Sequence, residues 1–156
     1  MKIIELQMLQ TLYEQDFYAW VEQTAELLRS HQWDTLDLEN LIEEVVDLGK
    51  SQQRALQSAL RLVLLYLLKW KYQPERRSRS SQVTITRELL NIDELLQESP
   101  SLQRFLNDDE WINTIYQRAQ REAMVETGLS EDEFAIACPF SVDEILDLDF
   151  YPNADQ

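Results

Sequence analysis

Glycine and proline are nearly missing from this chain: two and four among 156 residues. Tight turns between strands need residues that tolerate positive φ, and two glycines cannot supply a sheet protein with them. Long helices joined by short polar connections need almost none, so the composition predicts an all-α fold. One cysteine, Cys138, excludes an internal disulfide and fits a reducing cytoplasm. One histidine, His31, excludes a zinc site built on histidines, and Cys138 offers it no evident thiolate partner. Basic residues are scarce as well: 14 against 29 acids, a formal net charge of -15. Such a surface does not bind nucleic acid broadly, because neutralising phosphates takes an excess of Lys and Arg, and it does not adsorb spontaneously to anionic membranes. The most apolar run, Leu60 to Leu68, is broken by Arg61 and falls far short of the ~20 residues that span a bilayer. Glu5 interrupts the N-terminal apolar residues, so no secretory leader is expected. No Gly-rich phosphate loop, Ser-His-Asp order or Cys-x-x-Cys pair is present.

What remains is helical periodicity. With 44% hydrophobic and 28% charged residues, the chain has the balance of a soluble globular protein, and its length suits a single domain over 1–156. Residues 1–10 are expected to fray. From Thr11 to Ser30, Phe17, Trp20, Val21, Thr24, Leu27 and Leu28 recur at three- and four-residue spacing and predict one helix. Asp37 is placed to cap a second, with Asn40 three residues on. Leu38, Leu41, Ile42, Val45 and Leu48 mark one face of it, resumed by Leu56, Leu60, Val63, Leu64 and Leu67. This reads as one helix about 50 Å long, or two hinged at Gly49, ending before Pro74. A Ser/Arg-rich loop, Arg76 to Ser81, leads to a third helix starting between Gln82 and Thr86 and ending at Ser99-Pro100-Ser101. The fourth region, Leu102 to Thr127, has a possible break at Asn107-Asp108-Asp109 and stops at Gly128. A turn of helix is expected at Ser130 to Phe134. Ser141 and Glu144 are spaced as a capping box for a short last helix, Val142 to Leu146, followed by an acidic tail over 147–156. The expected architecture is a four-helix-bundle-like domain with a long second helix and a short C-terminal one.

Charge is segregated along this framework. Lys69 to Arg79, KWKYQPERRSR, holds five basic residues against Glu75 alone, about +4, leaving about -19 on the rest. Lys69, Lys71, Arg76, Arg77 and Arg79 have three readings. They pair with the acidic helix or tail, since Arg forks suit carboxylates; or they bind a phosphate-bearing ligand; or they bind an acidic protein surface. Trp70 and Tyr72 between them have the chemistry to stack on a base, but at a helix end they fit core and rim. Between Asp37 and Asp47 lies the opposite cluster. Asn40, Glu43, Glu44 and Asp47 fall on neighbouring turns of one helical stripe, a spacing from which carboxylates and water can hold Mg²⁺. Glu44-x-x-Asp47 is similar to half of the paired acidic motif of all-α nucleotide pyrophosphohydrolases. The other half is missing, since Glu22 and Glu26 are four apart. A solvated helix face explains the same residues. Cys138 in AIACPF reads as a packed small residue, and Trp20, Trp33, Trp70 and Trp111 as core and interface anchors.

Several segments in order, LYEQDFYAW, DLENLIEEVVDLG, LLKWKYQPERRSRS, Thr84-Ile85, SPSL, ETGL and CPF, give the chain a wider likeness. From Leu12 to Pro152 it resembles the DUF29 family, small all-helical bacterial proteins common in cyanobacteria. The resemblance implies a helical fold in a bacterial cytoplasm and no particular activity. It also implies His at the position of Tyr66 and Trp at that of Ser81, so chemistry resting on that His is not expected here.

Three functions follow. The leading expectation is a non-enzymatic protein-interaction module of the cytoplasm, without cofactor, that binds a protein partner or a copy of itself and neither membrane nor nucleic acid. The alternative is a Mg²⁺-dependent hydrolase of a nucleotide or other phosphate ester. There Asn40, Glu43, Glu44 and Asp47 hold the metal, while Lys69, Arg76 and Arg77 neutralise phosphate. A weaker third is a regulator that mimics nucleic acid through its negative surface.

Overall fold

Local signals in the chain place the helix ends. The computed structural model describes residues 2–153. Asp16 divides what the periodicity joins. Its N–H still donates to the Leu12 carbonyl at 2.7 Å, while its carboxylate accepts from the Ala19 N–H at 3.1 Å and so caps a new helix. The expected single helix is therefore two, α1 (Lys2–Gln15) and α2 (Phe17–Arg29). The helix α1 begins at Lys2, and Leu9 is buried. Met1 lies outside the described residues.

The long helix is α3 (Leu38–Tyr72), 35 residues and uninterrupted at Gly49. It stands third in chain order because the first pattern splits. Ser78 accepts a hydrogen bond from the Ser81 N–H at 3.2 Å and starts α4 (Arg79–Glu98), several residues earlier than periodicity places it. Polar serines in the first turn hid that turn from an apolar-periodicity reading. Pro100–Leu102 forms a 3₁₀ turn before α5 (Gln103–Leu106). Asp108 caps α6 (Asp109–Thr127), and Gly128 closes it at φ 75°. The Ser141–Glu144 capping box opens α7 (Val142–Leu146) as spaced. Seven α-helices and no strand are present among the described residues, and no helix is long and apolar enough to cross a membrane.

Residues up to Ser51 and those from Gln52 onward form two compact units. The later unit has a deep core. Leu56, Leu60, Val63, Leu64, Leu67 and Leu68 of α3 meet Ile85, Leu89 and Ile92 of α4 and Ile112, Ile115 and Tyr116 of α6. Each fully buried aliphatic side chain contributes roughly 1.5–3 kcal/mol. The Tyr116 hydroxyl donates to the Ala135 carbonyl, and burial pushes its ionisation above the usual tyrosine range. Of the acidic tail, residues 147–153 are non-helical, and Phe150 and Tyr151 pack on this core. Residues 154–156 lie outside the described part.

The earlier unit is built differently. Among the described residues its buried hydrophobic ones are Leu9, Trp20 and Leu36. Tyr13 sits edge-on to Trp20 at 4.9 Å and to Phe17 at 5.8 Å. Asp37 is 1% exposed. Its Oδ2 accepts from Trp20 Nε1–H at 3.3 Å and from Asn40 Nδ2–H at 2.6 Å, tying α2 to the start of α3. The apolar marks expected to face a seam on the first half of α3 instead face water: Leu38 is 58% exposed, Ile42 55%, Val45 60% and Leu48 71%. Trp33, expected to anchor, is exposed too.

Candidate functional site

The basic residues are positioned where α3 ends. Its last turn carries Lys69 and Lys71, which complement the negative end of the helix dipole. The Gln73 N–H donates to the Lys69 carbonyl at 2.9 Å. Pro74 cannot continue the helix and opens a 3₁₀ turn, Pro74–Arg76, after which Arg77 is extended and Ser78 caps α4. This short elbow sets the end of α3 against the start of α4.

Between them is a cavity of about 270 Å³ lined by Tyr66, Lys69, Trp70, Gln73, Arg76, Arg77, Ser78, Ser80, Ser81 and Glu126. Lys69 Nζ lies 2.8 Å from Glu126 on α6 and 4.9 Å from the Tyr66 ring centroid. Arg77 is held by main chain: its Nε–H donates to the Trp70 carbonyl at 2.8 Å and an NH2 group to the Pro152 carbonyl at 3.4 Å. Its guanidinium lies 5.3 Å from the Trp70 ring, which also meets Tyr151 at 4.7 Å. Arg76 is exposed and has no partner among the described residues.

Of the six residues marked by the sequence, the structure brings four together: Lys69, Trp70, Arg76 and Arg77. Lys71 turns inward instead. It is 8% exposed, with its ammonium over the rings of Tyr72 at 5.5 Å and Phe140 at 5.9 Å. Arg79 lines a separate groove with Gln82, Val83 and Arg87. Among the described residues of its own unit, one carboxylate, Glu126 of α6, meets the elbow, and the tail contributes a carbonyl. Gln73, Ser78, Ser80 and Glu126 went unmarked, and Tyr66 and Ser81 were named only as departures from the family resemblance. The serines read as loop, and Glu126 is too distant in sequence to be connected by spacing. The two positions where the chain departs from the family resemblance, Tyr66 and Ser81, both face this cavity.

Two residues of the acidic stripe have other occupations. Asn40 donates to Asp37. Glu44 accepts from the Tyr13 hydroxyl at 2.6 Å, and mainly through that bond the phenol is pushed up to about 12. Glu43 and Asp47 are exposed. Among the described residues no three carboxylate, His or Cys side chains gather closely enough to hold a metal ion. Cys138 is partly buried, which pushes its thiol up, and its Sγ–H donates to the Phe140 carbonyl at 3.4 Å. A thiol kept protonated is a poor nucleophile.

No curated protein and no solved structure matches this chain. The family model described as "Domain of unknown function DUF29" matches residues 12–151. That span takes in every helix from α2 to α7 and the whole elbow; this is a DUF29 protein.

Proposed function

We propose that the protein is a non-enzymatic helical interaction module of the bacterial cytoplasm, and that its first unit docks a second copy of the chain. One observation carries this: the uncovered apolar stripe on the first half of α3. Leu38, Ile42, Val45 and Leu48 lie on one side of the helix and are exposed, while Glu39, Glu43, Glu44 and Asp47 occupy the other. A unit of some fifty residues with three buried hydrophobic side chains among its described residues is marginal by itself, so covering this stripe would add what its core lacks.

The stripe favours a copy because it is self-complementary. Gly49 follows at the C-terminal end of it, and a Cβ built there meets nothing within 4 Å. In an antiparallel two-fold crossing centred on Val45, Leu41 of each copy stands opposite Gly49 of the other, bulk against gap. Glu39, Glu43 and Asp47 stay outward in water and Glu44 is turned to Tyr13, so the negative charge of each copy does not oppose the contact. Sedimentation velocity on the full chain tests this. The expected species at micromolar to hundred-micromolar concentration is twice the 18.5 kDa chain mass. Ile42→Glu with Val45→Glu should return it to one copy with helicity unchanged. A wild-type chain that stays single throughout the range defeats the proposal.

A further inference from the structure

We infer that the cavity at the α3–α4 elbow is a binding site for the phosphate group of a small phosphomonoester. It lies wholly within the later unit and does not rest on self-association. The lining carries three cations, Lys69, Arg76 and Arg77, against one carboxylate, Glu126, on a chain whose remainder is strongly negative. Two of the cations are already engaged, but Arg76 is not. Its forked donors are free to take two oxygens of one phosphate.

Three further features converge on the same space. Ser80 lines it. So does Gln73, only 8% exposed yet held by nothing better than a 3.5 Å hydrogen bond to the Thr127 carbonyl. The first turn of α4 also opens there, with the Arg79 and Ser80 N–H groups lacking acceptors and no acid in the turn to neutralise them. The helices α6 and α7, by contrast, carry acids in their first turns. Cations beside a helix N-terminus are unfavourable for the helix itself, so the placement of Arg76 and Arg77 at this turn makes sense once an anion joins them. At about 270 Å³ the space is at the small end of ligand sites, room for a phosphate and a few atoms more.

Glu126 sets the strength of the site. Its carboxylate occupies Lys69 at 2.8 Å and competes with an incoming anion for the same ammonium. Titration calorimetry of the full chain with inorganic phosphate and with methyl phosphate, at constant ionic strength and pH 7.5, reads this directly. The expectation is one saturable site per chain for both probes. Arg76→Gln, an exposed position whose change leaves the fold intact, weakens it at least tenfold, and Glu126→Gln tightens it several-fold by releasing Lys69. Arg79→Gln, outside the cavity, changes it less than twofold. Absence of a saturable site overturns the inference. So does an equal loss in Arg79→Gln and Arg76→Gln, which would mark diffuse attraction to basic charge, or an affinity indifferent to Glu126→Gln.

Discussion

Replacing Gly49 with alanine should raise the stability of the single chain and lower its self-association, two effects of opposite sign from one methyl group. In the interior of a helix glycine is about 1 kcal/mol less favourable than alanine, because its backbone has more freedom to lose. Gly49 lies well inside α3, at a position that has no need of its conformational range. Nothing lies within 4 Å of the added Cβ, so no steric term offsets the gain. The expected net effect is therefore close to +1 kcal/mol, about a fivefold shift in the folding equilibrium. In urea, with a slope of about 2 kcal/mol/M, the midpoint rises by roughly 0.5 M. Circular dichroism at high dilution, where a single copy prevails, measures it. In the two-fold crossing the same methyl meets Leu41 of the other copy, so the association constant falls at least tenfold by sedimentation. A lower urea midpoint for Gly49→Ala at high dilution would refute the reasoning. It would mean that the stripe is covered within one molecule and that the added carbon collides there.

Two further outcomes follow from side-chain contacts. The Tyr13 phenol is raised to about 12, so the stability this contact lends is complete below the ordinary tyrosine value of about 10 and is lost as pH rises from there through 12. Absorbance titration at 295 nm should show one late-ionising tyrosine in the accessible set, absent in Tyr13→Phe. An ordinary titration for every accessible tyrosine would show that the Glu44 bond does not persist in solution. Arg77→Ala removes two hydrogen bonds to carbonyls and the stacking on Trp70, a loss of about 2 kcal/mol. Hydrogen exchange over residues 147–153 should speed up accordingly, and unchanged protection there would show that the tail is fixed by Phe150 and Tyr151 alone.

Signals confined to a few neighbouring residues carried over into the structure. The Ser141–Glu144 box, the Asp108 break, Gly128 at a positive φ and the stop at Pro74 are each satisfied by atoms within a few positions in sequence. The reading failed where a polar residue had two possible roles. Asp16 sits within an unbroken apolar rhythm, yet its carboxylate caps a new helix there. Ser80 and Ser81 look like loop and are first-turn residues under the Ser78 cap. The apolar rhythm of α3 is equally regular in both halves, so spacing alone could not tell Leu56 and Leu64, which are buried, from Ile42 and Val45, which are not.

The amino-acid string alone was enough to settle the helical class, most helix ends and the concentration of positive charge at one elbow, because composition, capping and periodicity act over single turns. Which of those charges face a shared space was decided only in three dimensions. Lys71 and Lys69 are two residues apart on the same helix, and one lies over Phe140 while the other reaches Glu126. Both of those partners come from distant parts of the chain, and packing, not spacing, brings them near.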